Sequence, residues 1–212
     1  SISGVKNPEG PADPIVCHPD VRKMLLTQRV IAEGSRAMVC YASQFADLYT
    51  SAKTKEEQEY GESRLGFCTP ILKGFITEKG VVAANYGVQV FGGHGYIKEW
   101  GMEQILRDSR IATIYEGTTG IQALDLIGRK TLMDKFKQLK IFTSEMRQFV
   151  MPLLLSTKTS RAMRKYAWKT LKMSLKWRYL AFRMALQAKR DRDSVGAGSV
   201  DFLMFSGYAF MA

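Results

Sequence analysis

The placement of proline constrains this chain more than any other feature. Six prolines occur, at positions 8, 11, 14, 19, 70 and 152. Proline lacks a backbone N–H and breaks a helix interior, so residues 1–19, which also hold Gly4 and Gly10, read as a loop. They begin without Met and read like the interior of a longer chain. Between Pro19 and Pro152 only Pro70 interrupts, which leaves room for long helices. With 46% hydrophobic residues the chain has material for a core, and the expected class is all-α.

Periodicity fills in the helices. Met24, Ile31, Met38 and Phe45 recur every seven residues, beside a line of Gly34, Tyr41 and Leu48, so residues 21–51 read as an amphipathic helix with Asp20 at its cap. The helices that follow are apolar too, which favours a bundle over a free coiled coil. A charged segment at 53–62 opens a second helix that runs on through 65–91, with Pro70 as a kink or restart and Gly80 as a bend. Helices at 102–114 and 119–130 complete a four-helix bundle over residues 20–130. Residues 130–133 are the junction. A helix at 136–155 and another at 161–192 follow, then a turn at 191–199 holding Gly196 and Gly198, then an apolar helical run at 200–212 that stops without a polar end.

The formal charge of +11 is uneven. Residues 1–130 hold 15 Lys+Arg and 15 Asp+Glu, whereas residues 131–212 hold 16 and 5. The excess marks 131–212 as a second, basic helical extension. At 100° per residue, Lys158, Lys165, Lys169, Lys172, Lys176, Arg183 and Arg190 fall within an arc of roughly 80°, and the rest of that helix reads as buried on most sides.

One run concentrates unusual chemistry. Gln89, Val90 and Phe91 close a helix and lead into Gly92, Gly93, His94, Gly95 and Tyr96. Clustered glycines admit positive φ and close approach to backbone N–H groups. A short helix with Arg107-Asp108 follows, read as an ion pair orienting the next turn, Ile114-Tyr115-Glu116-Gly117. Thr119 and Gln122 then have capping-box spacing. Glu116 therefore sits in a tight turn before a helix N-terminus. Apolar neighbours raise a carboxyl pKa and the helix end lowers it. Local physics allows both a proton-transfer group and a plain solvated turn residue. His94 reads as a loop histidine without a role.

The ordered series Gln89-x-x-Gly92-Gly93-x-Gly95-Tyr96, Arg107-Asp108, Tyr115-Glu116-Gly117-Thr118 resembles the C-terminal helical domain of acyl-CoA dehydrogenases. Residues 131–212 and the loop Asn7-Pro8 to Pro14 resemble a larger bacterial-type subgroup that includes 3-methylmercaptopropionyl-CoA dehydrogenases. The resemblance implies an FAD-dependent oxidoreductase of fatty acid β-oxidation and lipid metabolism. Glu116 would remove the α proton of an acyl-CoA while the β hydride passes to flavin N5. Its backbone N–H and the flavin ribityl chain would hold the thioester oxygen, with Tyr115 and Gly117 against the substrate. Gln89, Val90, Phe91, Gly92 and Gly93 would contact the adenylate half of FAD across a subunit interface, and Thr118, Thr119 and Gly120 the flavin of the same subunit. Many members have Gln where Gly120 stands, so only backbone contact carries over there. The resemblance also implies an N-terminal helical domain and a β-barrel not found in this sequence, a homodimer or homotetramer, and an electron-transfer flavoprotein or similar acceptor.

Three cysteines without a Cys-x-x-Cys and two histidines argue against a metal site. Neither a signal peptide nor a membrane-spanning run is visible, so a bacterial cytoplasm or mitochondrial matrix is expected. The alternative to an enzyme is a non-catalytic relative that binds nucleic acid, an anionic membrane or an acidic partner through the basic extension. The intact Tyr115–Thr118 turn favours the enzyme over nucleic-acid binding.

Overall fold

A computed structural model describes residues 8–191 and 193–212. Eight α-helices and no strand occur among them, in agreement with the all-α expectation. The Asn7 end of the leading loop lies outside the described residues.

Helix α1 spans Pro19–Ser51. Pro19 rather than Asp20 opens it, because proline's missing N–H costs nothing in a first turn; Asp20 lies inside that turn. The heptad stripe faces inward, with Ile31, Met38 and Phe45 all buried. Helix α2, Lys55–Ile71, is capped by the Thr54 hydroxyl, which accepts from Glu57 N–H at 3.2 Å. Pro70 does not end it. The rod widens into a π-helical turn at Leu72–Ile76 and continues as α3, Thr77–Phe91. Gly80 lies within α3 and makes no break. Two 3-10 turns, Gly92–Tyr96 and Lys98–Trp100, lead to α4, Met102–Ile111. Helix α5, Thr119–Leu124, runs into a second π segment, Asp125–Met133.

The remaining helices are α6, Lys137–Leu155; α7, Arg161–Ala188; and α8, Asp193–Met211. Two expectations fail here. Gly196 and Gly198 do not form a turn but lie in the first turns of α8. Nor is α7 buried on most sides: Trp168, Leu175, Tyr179, Phe182 and Leu186 are exposed, and only Ala167, Ser174, Trp177, Ala181 and Met184 are buried. Helix α8 buries one face, Ser199, Phe202, Leu203, Ser206, Gly207 and Ala209, leaves Val200, Asp201 and Tyr208 exposed, and packs through small residues. A Cβ on Gly207 would lie 2.1 Å from the Phe75 ring, and one on Gly74 would lie 2.7 Å from Leu203. These notches let α8 seat directly on the π-turn after α2.

One core therefore joins Met38 and Ala42 of α1, Phe67 and Ile71 of α2, Phe142 of α6, Trp177 of α7 and Leu203 of α8. Within it Arg64 is fully buried. Its guanidinium pairs with Glu145 at 2.5 Å, donates to the Tyr41 hydroxyl at 2.7 Å, and lies 4.9 Å from the Phe45 ring centre. The three cysteines are free, and burial pushes the Cys68 thiol up to about 12. No described helix is long and apolar enough to cross a membrane.

Removing Glu145 would strand a buried cation. Glu145→Ala is expected to cost roughly 3 kcal/mol, whereas Arg29→Ala, which breaks an exposed helix pair, should stay within about 0.5 kcal/mol. Thermal and urea unfolding of the two variants checks the contrast.

Candidate active site

The segment between α4 and α5 is the most constrained stretch of irregular backbone. Thr113 is buried and anchors it; the Thr113 carbonyl accepts from Thr119 N–H at 3.2 Å and closes the loop. Glu116 has φ 52° and Gly117 φ 93°. Glycine tolerates this region, but a glutamate there costs of order 1–3 kcal/mol unless its surroundings hold it. They do hold it. Gln122 Nε2 donates to the Glu116 carbonyl at 3.3 Å, and Lys73 Nζ donates to the Gly117 carbonyl at 2.5 Å.

The helix that follows is capped one residue earlier than the capping-box spacing suggests. Thr118, not Thr119, accepts from Ile121 N–H, at 3.4 Å. Thr119 instead donates to Glu78 at 2.6 Å, and Gln122 turns back to Glu116. The Arg107-Asp108 ion pair is not formed. Adjacent helix residues do not face one another, and Asp108 accepts from Gln104 one turn earlier, at 2.7 Å.

The carboxylate of Glu116 is exposed, and its rim is apolar. Ile111, Ile114, Tyr115 and Ile121 are each about half exposed. The N–H groups of Glu116 and Gly117 have no acceptor among the described residues. A shallow groove of about 640 Å³ runs along α4 from Leu106 and ends at Ile114. A better enclosed apolar groove lies elsewhere, around Met38, Tyr41, Phe142 and Phe210. The turn carries more chemical meaning, because strain, unpaired donors and a carboxylate coincide there.

The glycine run lies at the other end of α3. Gln89, Phe91, Gly92 and Gly93 are exposed and Val90 is half-buried. Gly92 has φ 61°, and a Cβ on Gly92 or Gly93 would meet nothing within 4 Å. Their backbone is thus open to an approaching group. Gly95 differs: a Cβ there would lie 2.4 Å from the Val88 carbonyl. His94 packs edge-on against Trp100. Glu78 and Gln89, eleven residues apart on α3, are separated by about 16 Å. The structure therefore gathers Tyr115, Glu116, Gly117, Thr118, Thr119 and Gly120 at one end of the rod and Gln89 to Gly93 at the other. Lys73 and Glu78 are the residues that sequence reasoning missed. A lysine in an apolar stretch, three residues after a proline, was the available signal. No cluster of metal-ligating side chains occurs among the described residues.

The sequence profile described as "Acyl-CoA dehydrogenase, C-terminal domain" matches residues 2–132. The chain belongs to the acyl-CoA dehydrogenase family. It is 38% identical to a 3-methylmercaptopropionyl-CoA dehydrogenase of Ruegeria pomeroyi, over 92% of this chain and 33% of that protein. It is 35% identical to a butyryl-CoA dehydrogenase of Syntrophomonas wolfei, over 68% of this chain and 24% of that one. Among solved structures, Caenorhabditis elegans ACDH-11, in complex with C11-CoA, aligns with a TM-score of 0.71 at 24% identity, covering 91% of this chain and 32% of that one. The chain thus spans about a quarter to a third of the length of such relatives. The match to the Ruegeria protein extends well beyond residue 132, so the extension is shared with that acyl-CoA dehydrogenase.

The two kinds of glycine should separate on substitution. Gly95→Ala is expected to lower stability by about 1–3 kcal/mol, because the Val88 carbonyl must move. Gly93→Ala should leave the unfolding midpoint nearly unchanged, which differential scanning calorimetry would check.

Proposed function

We propose that this chain is the catalytic C-terminal portion of an FAD-dependent acyl-CoA dehydrogenase, which desaturates an acyl-CoA thioester between its α and β carbons. The observation that carries the reading is Glu116 itself. It is a carboxylate held at positive φ, set in an apolar rim, with two unpaired backbone N–H groups beside it.

In this reading the Glu116 carboxylate takes the α proton. The electron pair of that C–H bond becomes the new π bond as hydride leaves the β carbon. The N–H of Glu116 donates to the thioester oxygen, where charge accumulates; one such donor supplies roughly 3 kcal/mol. Gly117 lets the thioester pass close to the backbone, and Tyr115 lines the approach. The apolar rim keeps water from the carboxylate once the acyl chain is in place. Bound FAD supplies the hydride acceptor. The open backbone at Gly92 and Gly93, with Gln89, Val90 and Phe91, suits its adenylate half, and Thr118, Thr119 and Gly120 suit its flavin. By the family resemblance the two groups serve two different cofactors, with a second copy of the chain completing each site. The division of the chain into 20–130 and 131–212, an N-terminal helical domain and a barrel closing the flavin, and an electron-transfer flavoprotein or similar acceptor belong to the same proposal.

A second reading, binding of nucleic acid or an anionic surface, draws on one feature. Helix α7 carries no acidic residue from Arg161 to Ala188 and leaves Lys165, Lys169, Lys172 and Lys176 exposed.

Glu116→Gln should retain flavin and acyl-CoA binding while turnover falls by about a hundredfold or more; stopped-flow reduction of the flavin is the measurement, and near-parental rates would remove Glu116 from the chemistry. Replacing Lys165, Lys169, Lys172 and Lys176 together by Gln should leave turnover with a soluble artificial acceptor unchanged. A large loss in that assay would tie α7 to catalysis instead.

A further inference from the structure

The Glu116 turn is gripped by two side chains of a single rod. Lys73 donates to the Gly117 carbonyl at 2.5 Å, and its ammonium lies 5.8 Å from the Tyr115 ring centre. Glu78 accepts from the Thr119 hydroxyl at 2.6 Å. Both contacts fall just C-terminal to Glu116, one on Gly117 and one on the first residue of α5.

Lys73 and Glu78 are five positions apart. On a regular α-helix such residues point about 140° away from each other, and they could not both reach one short turn. The rod is not regular here. Lys73 lies within the π-turn Leu72–Ile76, where the backbone bond closes on i+5 and the smaller twist per residue narrows the angle between the two side chains. The Thr77 hydroxyl donates to the Lys73 carbonyl at 2.6 Å, which satisfies an acceptor where the ladder changes step. The π-turn is itself held from behind by α8: Leu203 fills the notch at Gly74, and Phe75 fills the notch at Gly207.

We propose that Lys73 and Glu78, brought toward one face by the π-turn, form a clamp that positions Glu116, and that α8 of the C-terminal extension holds this clamp in register. The inference rests on the reading of Glu116 as the proton-abstracting base. Lys73 touches neither substrate nor reacting atoms; it is a positioning residue. Its ammonium fixes the carbonyl that follows Glu116, and so fixes the direction in which the carboxylate leaves the backbone. The assignment also gives the extension a role in the reaction that its basic surface does not suggest.

The test uses the holoenzyme. Lys73→Met should lower kcat about ten- to a hundredfold, the range for a catalytic group displaced by an ångström or so. KM, flavin content and unfolding midpoint should stay near parental values. Lys73→Arg, which can still donate a charged hydrogen bond, should recover most of kcat. Amide hydrogen exchange at Tyr115 and Thr119, whose N–H groups are bonded to carbonyls, should quicken about tenfold in Lys73→Met, as for loss of one charge-assisted bond, and not in Lys73→Arg. Glu78→Ala opens the other jaw and should show the same pattern; it replaces Lys73→Met if that variant does not fold. Unchanged kcat and unchanged exchange in the folded variants would overturn the clamp. So would a fall in kcat that comes with lost flavin and unaltered exchange. Glu116→Gln measured alongside separates the two ideas. If that variant still turns over, the base assignment fails, while exchange at Tyr115 and Thr119 continues to report whether the clamp holds the turn.

Discussion

The fold depends on a cation that has no water. Arg64 is fully buried, and its charge is answered by groups from two other helices: Tyr41 of α1 and Glu145 of α6. Its Nε and Nη1 have no hydrogen-bond partner among the described residues; the faces of Phe45 and Phe142, 4.9 and 5.4 Å from the guanidinium carbon, stand in for them. Tyr41 donates to Glu145 at 2.7 Å while accepting from Arg64. Burial, and then that hydrogen bond, push its phenol well above the ordinary range, so it remains a donor at any working pH. A pair of this kind gains little over an apolar replacement. What it does is penalise any packing in which α1, α2 and α6 are not all in place, since each misplacement leaves a charge without solvation. The extension is thereby tied to the bundle at one defined register.

That register decides what happens at the far end of the rod. With α6 docked on Arg64, α7 and α8 fold back over the core, and α8 meets the π-turn through glycines on both sides. Each contact would fail with one added methyl group, because a Cβ at Gly207 would lie inside the radius of the Phe75 ring. Close-packed interiors transmit such constraints rather than absorb them. The π-turn in turn aims Lys73 and Glu78 at the Glu116 turn. A carboxylate held at positive φ is unstable by itself, and here its conformation is over-determined by contacts that trace back, through α8, to the buried arginine.

Helices were legible in the sequence because their cues are local and redundant. The heptad line from Met24 to Phe45 repeats the same message several times. The errors fall where one residue had to be judged against a distant partner. Gly196 and Gly198 look like a turn in isolation; neither is in a conformation that needs glycine, and α8 has enough apolar surface to extend through them. Helix α7 looked buried because it is rich in Trp, Leu and Phe, yet only a narrow face meets the core, while the less conspicuous α8 buries a larger share of its residues. At the candidate site, Glu116 and the glycines were legible from their order along the chain. Lys73 and Glu78 were not, because a π-turn shifts which residues share a face, and the 3.6-residue period gives no sign of it.

The two halves of the candidate site make opposite demands on the backbone. At Glu116 the chain must be held against its own preference, so its carbonyls are tied by Lys73 and Gln122 and its loop is closed by Thr113. At Gly92 and Gly93 it must be left alone, with no side chain filling the space and no neighbour within 4 Å of a would-be Cβ. Helix α3 serves both ends. Its start, next to the π-turn and under α8, is where the clamp is built. Its end runs free of the core into exposed 3-10 turns. A rigid helix of fifteen residues keeps the two ends at a constant separation. Tightening one end for proton transfer therefore need not close the other, which stays accessible to a ligand too large to be enclosed by a single turn.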